Sequence, residues 1–353
     1  MIATLYRQNA VLAQPVRASE QEHRERSRLF LRIERDGVVG YGEVAPQPHE
    51  LNGDPGFGDV VEAVGVALLR LEGVVAREGE LPSWSRVARF SSGSPKENVA
   101  TTLVEMALLD RELRASSRSI VELWPRRFVT PTQATVSLLD DAPWRVDGSA
   151  RRVRVKCAPG DLANGALERL ERLSVPVIVD YNCSVTSDLT VLTQLELIRR
   201  VATVAAIEQP YEVGNFIDHA RLAALIDVPV SIDEGLRSTR DLTRIVNYGA
   251  ATMICVKPAR VGGLANARTL IDRARDLGVA VYVGGFFESP FARGVHRALA
   301  ESCVNEPSDL SVIDVERNDE VKSTHVGVSF GIEPAGAMLA SAERLSVTSL
   351  SES

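Results

Sequence analysis

Long apolar runs are missing from this 353-residue chain: none approaches the ~20 consecutive apolar residues that a bilayer-spanning helix requires, so no membrane partner is expected. A surplus of positive charge is missing too. The formal net charge is −7, and affinity for nucleic acid needs clustered Lys and Arg, so no nucleic-acid partner is expected either. The cysteines, Cys157, Cys183, Cys255 and Cys303, form no C-x-x-C pair and no zinc-ligand spacing. That excludes a disulfide frame and a zinc knuckle and leaves buried, reduced thiols. The residues after Met1, IATLYRQN, lack the basic start, apolar middle and small-residue cleavage site of a secretory signal, and the expected location is the cytoplasm.

What is there is the composition of a globular protein, 45% hydrophobic and 25% charged, long enough for two or three units of roughly 100–200 residues. Residues 1–125 read as an α+β unit. RSRLFLRIERDGVVGYGEVAP alternates apolar and polar residues on both sides of Asp36-Gly37, a dipeptide suited to a tight hairpin turn. DVVEAVGVALLRLEGVV and ENVATTLVEMALLDRELRA follow with apolar residues at helical spacing. From about Ala134 short β-branched runs (RVRVKC, VPVIVDYN, VAAIEQP, VPVSIDEG, TMICVKP, VAVYVGG) alternate with amphipathic stretches, and SDLSVID could add a last strand. This alternation is the signature of strand-helix units sharing a parallel sheet.

Asp180, Glu208, Asp233 and Lys257 each close one of these runs, at intervals of 28, 25 and 24 residues. One such interval is one strand-helix unit, so in a parallel barrel the four side chains meet at the C-terminal rim, where the active sites of such barrels lie. One acidic residue at a strand end is as readily a cap for the next helix. Three in register read better as ligands for a hard divalent cation, Mg²⁺ first with Mn²⁺ as the alternative, because close carboxylates otherwise repel and raise one another's pKa. Lys156 and Lys257 flank the trio and could remove or return a proton at a bound substrate; as a lone feature, either lysine would read as a salt-bridge partner.

Asn182 and Gln209, beside the carboxylates, read as partners that orient them. Glu234 reads as the partner of a lysine. Gly284-Gly285 could admit a substrate to the backbone or simply make a tight turn. His23, Arg24 and Arg26 read as solvated surface charges, with contact to a substrate carboxylate as the alternative.

RVKC, VDYN, IEQP, SIDEG, VKPARVGG and GGFFES, in this order and spacing, resemble the enolase superfamily, in particular its muconate-lactonizing subgroup. GYGEVAP and VEMALLDREL extend the resemblance to nearly the whole chain. It implies a modified (β/α)7β barrel at 126–320, an α+β capping domain at 1–125 with a mobile lid around 14–25, and a C-terminal segment, 321–353, that returns to the cap. It implies metal ligands at Asp180, Glu208 and Asp233, bases at Lys156 and Lys257, and abstraction of a proton α to a carboxylate of a small substrate. Arg154 stands where the first lysine of the subgroup's K-x-K motif is usual, keeping the charge but changing the shape. Glu288 and Ser289 fall where relatives build the substrate pocket. Barrels of this kind often self-associate.

Within the subgroup the favoured reaction is dehydration of the o-succinylbenzoate synthase type, with racemisation of N-acylamino acids or epimerisation of dipeptides second and cycloisomerisation third. From a different class, a Schiff-base lyase with Lys257 as nucleophile would leave the three carboxylates without a task. A non-catalytic binding scaffold would tolerate loss of Lys156.

Overall fold

The structure is a computed structural model that describes residues 1–18, 21–138, 144, 146, 148–162, 165–311 and 343–345. Two sheets organise them. The first is antiparallel, built from β1 (Ile2–Ala18), β2 (Gln21–Arg35) and β3 (Val38–Val44). Asp36 and Gly37, both at positive φ (54° and 74°), make the turn that joins β2 to β3, as their sequence suggests. The residues proposed as a lid lie along the β1–β2 hairpin, apart from 19 and 20, which are outside the described residues. At the other edge a short strand, Glu343–Leu345, pairs with β1 antiparallel, Leu5 opposite Leu345.

One face of this sheet packs on helices α1 (Phe57–Glu78) and α2 (Pro95–Ala115). Leu29, Leu31 and Ile33, on alternate β2 positions, are fully buried with Leu71, Leu103 and Val104. Gly40 and Gly42 let α2 lie directly on β3: a Cβ at either would overlap the carbonyl oxygens of Ala107 and Leu103. α2 is buried nearly all round because it serves two cores, Leu103, Val104 and Leu108 facing the first sheet and Met106, Leu109 and Leu113 facing the second unit. Ser94 caps its start, accepting from the Glu97 amide at 3.4 Å, with Pro95 in the first turn.

The second sheet has seven parallel strands in sequence order: β4 (Thr132–Ser137), β5 (Ala150–Lys156), β6 (Val177–Asp180), β7 (Val204–Glu208), β8 (Val230–Ile232), β9 (Met253–Val256) and β10 (Ala280–Val283). Helix α3 (Ile120–Leu123) precedes this sheet; α4 (Ala166–Glu171), α5 (Asp188–Arg199), α6 (Phe216–Leu225), α7 (Thr239–Tyr248), α8 (Pro258–Val261) and α9 (Leu264–Asp276) fall between strands from β5 onward, and α10 (Pro290–Cys303) follows β10. Val153, Val155, Val179, Ile207, Ile232, Ile254 and Val283 face out to these helices and form the larger core. The segment expected as a last strand closes the ring at its start. Gln133 N–H donates to Ser308 O at 3.0 Å and Asp309 N–H to Val283 O at 2.9 Å, so Ser308 and Asp309 bridge β4 to β10. The rest of SDLSVID, from 312, lies outside the described residues.

The fold is therefore the α/β barrel with an antiparallel N-terminal unit that the sequence implies. No helix among the described residues is long and apolar enough to cross a membrane.

Candidate active site

Strand pleat divides the barrel interior into two levels. Ile178, Ala206, Met253, Cys255 and Tyr282 form an apolar plug. One pleat further toward the C-terminal rim the inward positions are polar. Lys156, Asp180 and Glu208 stand side by side in register on β5, β6 and β7. Ser231 pairs with Glu208, and Asp233 follows two residues on, on the same face. Lys257 comes immediately after β9 and opens α8. Every carboxylate and lysine that the strand-end spacing selects lies at one rim.

All three carboxylates are fully buried, and each is met by cations. Lys156 Nζ donates to Asp180 Oδ2 at 3.1 Å and to Asn182 Oδ1 at 2.7 Å. Arg154 Nη1 donates to Glu208 Oε1 at 3.1 Å, its Nη2 to Asp309, and its Nε lies 3.9 Å from Asp180 Oδ2. Tyr282 Oη donates to the other Glu208 oxygen at 2.5 Å. Lys257 Nζ donates to Asp233 Oδ2 at 2.8 Å, and Arg260 takes the other Asp233 oxygen. Arg260 is in turn clamped by Asp54 of the N-terminal unit, at 2.9 and 2.6 Å.

Burial, and then the neighbouring charges of Asp180 and Asp233, push the Glu208 carboxyl up to about 8 against the pull of Arg154. Burial acts the same way on Asp233, but Arg260 and Lys257 outweigh it and hold that carboxyl well below the usual range. Burial alone would lower Lys257, yet Asp233 leaves it raised, and its ammonium lies 4.8 Å over the Phe286 ring.

Three hard oxygen donors, too close to carry charge without cations, fit a divalent ion such as Mg²⁺ in chemistry. Among the described residues, however, no three His, Cys, Asp or Glu side chains converge as a ready-made nest. Their oxygens are turned instead to the arginines, the lysines and Tyr282, donors with which an entering ion would compete.

The residues around the trio divide between supports and bystanders. The Asn182 amide donates to Asp180 and, at 3.0 Å, to Glu234 Oε1. Glu234 therefore pairs with Asn182 and not with a lysine, and its buried Oε2 has no partner. Burial, Asp233 and Asp180 push Glu234 up to about 7. Gln209 Oε1 accepts the amides of Asp233 (3.1 Å) and Gly235 (3.0 Å), fixing the β8 turn. Asn182, Cys183 and Gln209 all adopt positive φ, the kind of backbone strain that gathers at functional rims.

Ser289 and Glu288 do other work. Ser289 caps α10 and is held by Glu43, which accepts its amide and hydroxyl at 2.6 Å each. Glu288 accepts the Phe286 amide at 2.8 Å and lies 3.4 Å from Arg293 Nε. A Cβ on Gly285 would stand 2.6 Å from Glu288 Oε2, so that glycine makes room for a carboxylate of the chain itself.

The sequence suggests solvated surface charges for His23, Arg24 and Arg26, with contact to a substrate carboxylate as the alternative. Arg24 is exposed, but His23 and Arg26 are buried, 6% and 1% exposed, because Phe287 from the barrel covers them. Asp54, Arg260, Tyr282 and Asp309 join the site without having been among the residues the sequence singles out. Arg260 alone carried a local signal, lying three residues after Lys257, one helical turn on.

Residues 149–329 match the enolase C-terminal domain-like family. An N-succinylamino acid racemase of Amycolatopsis sp is 28% identical over 86% of this chain and 83% of its own. An o-succinylbenzoate synthase of Geobacillus stearothermophilus is 30% identical over 76% of this chain and 72% of its own. Among solved structures, a dipeptide epimerase from Cytophaga hutchinsonii complexed with Mg and dipeptide D-Ala-L-Val superimposes with a TM-score of 0.70 at 18% identity, over 87% and 86% of the two chains.

Proposed function

Since the chain belongs to the enolase superfamily and is an enzyme of the lyase or isomerase kind, we propose that it removes a proton α to a substrate carboxylate in a Mg²⁺-dependent dehydration of the o-succinylbenzoate synthase type. The observation that carries the choice is the unequal setting of the two lysines. Lys257 is held as a cation between Asp233 and the Phe286 ring, and that side of the site is charged further by Arg260. Lys156 has Asp180 and the neutral amide of Asn182.

A racemase needs two lysines that exchange protons, one on each face of the substrate. A dehydratase needs one base and one fixed charge. Lys156 Nζ takes the α proton, and the electron pair moves into the carboxylate, where negative charge builds on the oxygens. Lys257 and Arg260 offset that charge without changing protonation state. The pair then returns to expel hydroxide from the neighbouring carbon, and Lys156 gives up its proton so that water leaves. Asp180, Glu208 and Asp233 would hold the Mg²⁺, which when bound would supply Lewis-acid stabilisation of the developing negative charge. Asn182 holds both Lys156 and Asp180, fixing the base relative to the ligand row.

The purified protein should dehydrate the cyclohexadiene precursor of o-succinylbenzoate with added Mg²⁺ and stop with a chelator. In D₂O, N-succinylamino acids that racemise with deuterium uptake, while the precursor stays untouched, would replace this reading by a two-base racemase. An adduct trapped by borohydride in the presence of substrate would replace it by a Schiff-base lyase.

A further inference from the structure

We propose that Arg26, beside His23 and Phe287, is the recognition point for a second carboxylate on the substrate, so that the enzyme selects dicarboxylates. The inference rests on the reading above for the reacting end of the substrate.

Among the described residues six arginines are buried: Arg26, Arg28, Arg152, Arg154, Arg260 and Arg293. Five face a carboxylate: Arg28 with Glu43, Arg152 with Glu306, Arg154 with Glu208 and Asp309, Arg260 with Asp54 and Asp233, and Arg293 with Glu288. Arg26 is the exception among the described residues. The groups in contact with it are neutral: Gln47 Oε1 at 2.7 Å, Pro46 O and His23 Nδ1 at 3.4 Å each, and the Phe287 ring at 4.2 Å, while the charges of Glu288 and Asp54 reach it only from beyond ion-pair distance. Its Nε has no partner at all. A buried cation with no carboxylate in contact is costly, and the low local dielectric that makes it so strengthens any ion pair it later forms.

The position suits a substrate. Phe287 follows Phe286, whose ring lies against the Lys257 ammonium. On the other side His23 is pushed down to about 4, first by burial and then by the charges of Arg26 and Lys156, which places it in the field of the base. Arg26 thus stands where the N-terminal unit meets the mouth between the two lysines. An incoming carboxylate would replace the neutral oxygens of Gln47 and Pro46 with a charged, fork-shaped acceptor, the match for which guanidinium is suited. Both substrate types considered above, the o-succinylbenzoate precursor and N-succinylamino acids, carry this second group at the end of a flexible succinyl arm.

Calorimetric titration of the full chain with Mg²⁺ tests the idea with two ligands that differ in that group alone: o-succinylbenzoate, and 2-butyrylbenzoate, in which a methyl replaces the distal carboxylate. The wild type should prefer the dicarboxylate by about tenfold or more. Arg26→Gln should abolish the preference and Arg26→Lys should keep part of it. A wild type without preference, or an Arg26→Gln protein that keeps it, overturns the proposal. Should Arg26→Gln not fold, the Arg26 Nε–H signal of ¹⁵N-labelled wild type decides: it moves with o-succinylbenzoate only, or the proposal falls. Preference without turnover would sink the dehydratase reading and leave this one standing; turnover with the preference unchanged in the variants would do the reverse.

Discussion

A lysine accepts a proton only when neutral, so what surrounds each amine decides what it can do. Lys156→Ala should lower turnover about 10²–10⁴-fold, the usual worth of a general base; activity within tenfold of wild type in a steady-state assay would remove Lys156 from that role. Arg154 is held on three sides, by Glu208, Asp309 and the Thr135 hydroxyl at 3.3 Å, a geometry that uses the whole fork. Arg154→Lys restores the subgroup's usual residue yet cannot span Glu208 and Asp309 together, and it should cost about 1–3 kcal/mol in chemical denaturation. A variant as stable as wild type would mean that the fork contributes nothing beyond its charge.

Among elements, α9 and α10 join the two units, each through its N-terminus. Glu105, on α2, accepts the amides of Leu264 and, at 3.0 Å, Ala265 at the start of α9; Glu43, on β3, accepts Ser289 and Ala292 amides at the start of α10. Carboxylates suit the positive ends of helices. Burial nevertheless pushes Glu105 up to about 8, opposed by those two amide bonds. Its folded value lies above the ordinary 4.5, so its contribution to stability is complete below about pH 4.5 and is lost as pH rises through about 8. The midpoint of urea unfolding should therefore fall between pH 5 and 9 by more in the wild type than in Glu105→Gln, where no proton is released. Parallel curves for the two proteins would show that this carboxyl is already charged at pH 5.

At the scale of the whole molecule, the ring depends on Ser308 and Asp309 bridging β4 and β10, and Asp309 carries the closure inward to Arg154 and so to the carboxylate row. Asp309→Ala should cost about 3–5 kcal/mol, as removal of one member of a buried ion pair does, and should weaken Mg²⁺ binding measured by calorimetry. Loss of stability with metal affinity unchanged would confine Asp309 to closing the barrel.

The barrel and its carboxylate row were legible because both are periodic. A strand that ends every 24 to 28 residues repeats one local pattern, and a parallel barrel turns equal sequence intervals into adjacent rim positions whatever the loops between them do. The hairpin at Asp36-Gly37 was legible for a similar reason, since its two positive φ values are a property of the dipeptide. Asp54 with Arg260, Glu43 with Ser289, and Arg154 with Asp309 lie 206, 246 and 155 residues apart. No period links such pairs. Whether Arg26 is a solvated surface charge or a buried cation was settled by Phe287 of the barrel, 261 positions further along, folding over it. By itself the sequence determined the chemistry available at the rim, because strand geometry is local. Only the tertiary structure decided which charges are paired, which are buried and which is left waiting for a partner, because burial and pairing belong to the contact between two units and not to either segment alone.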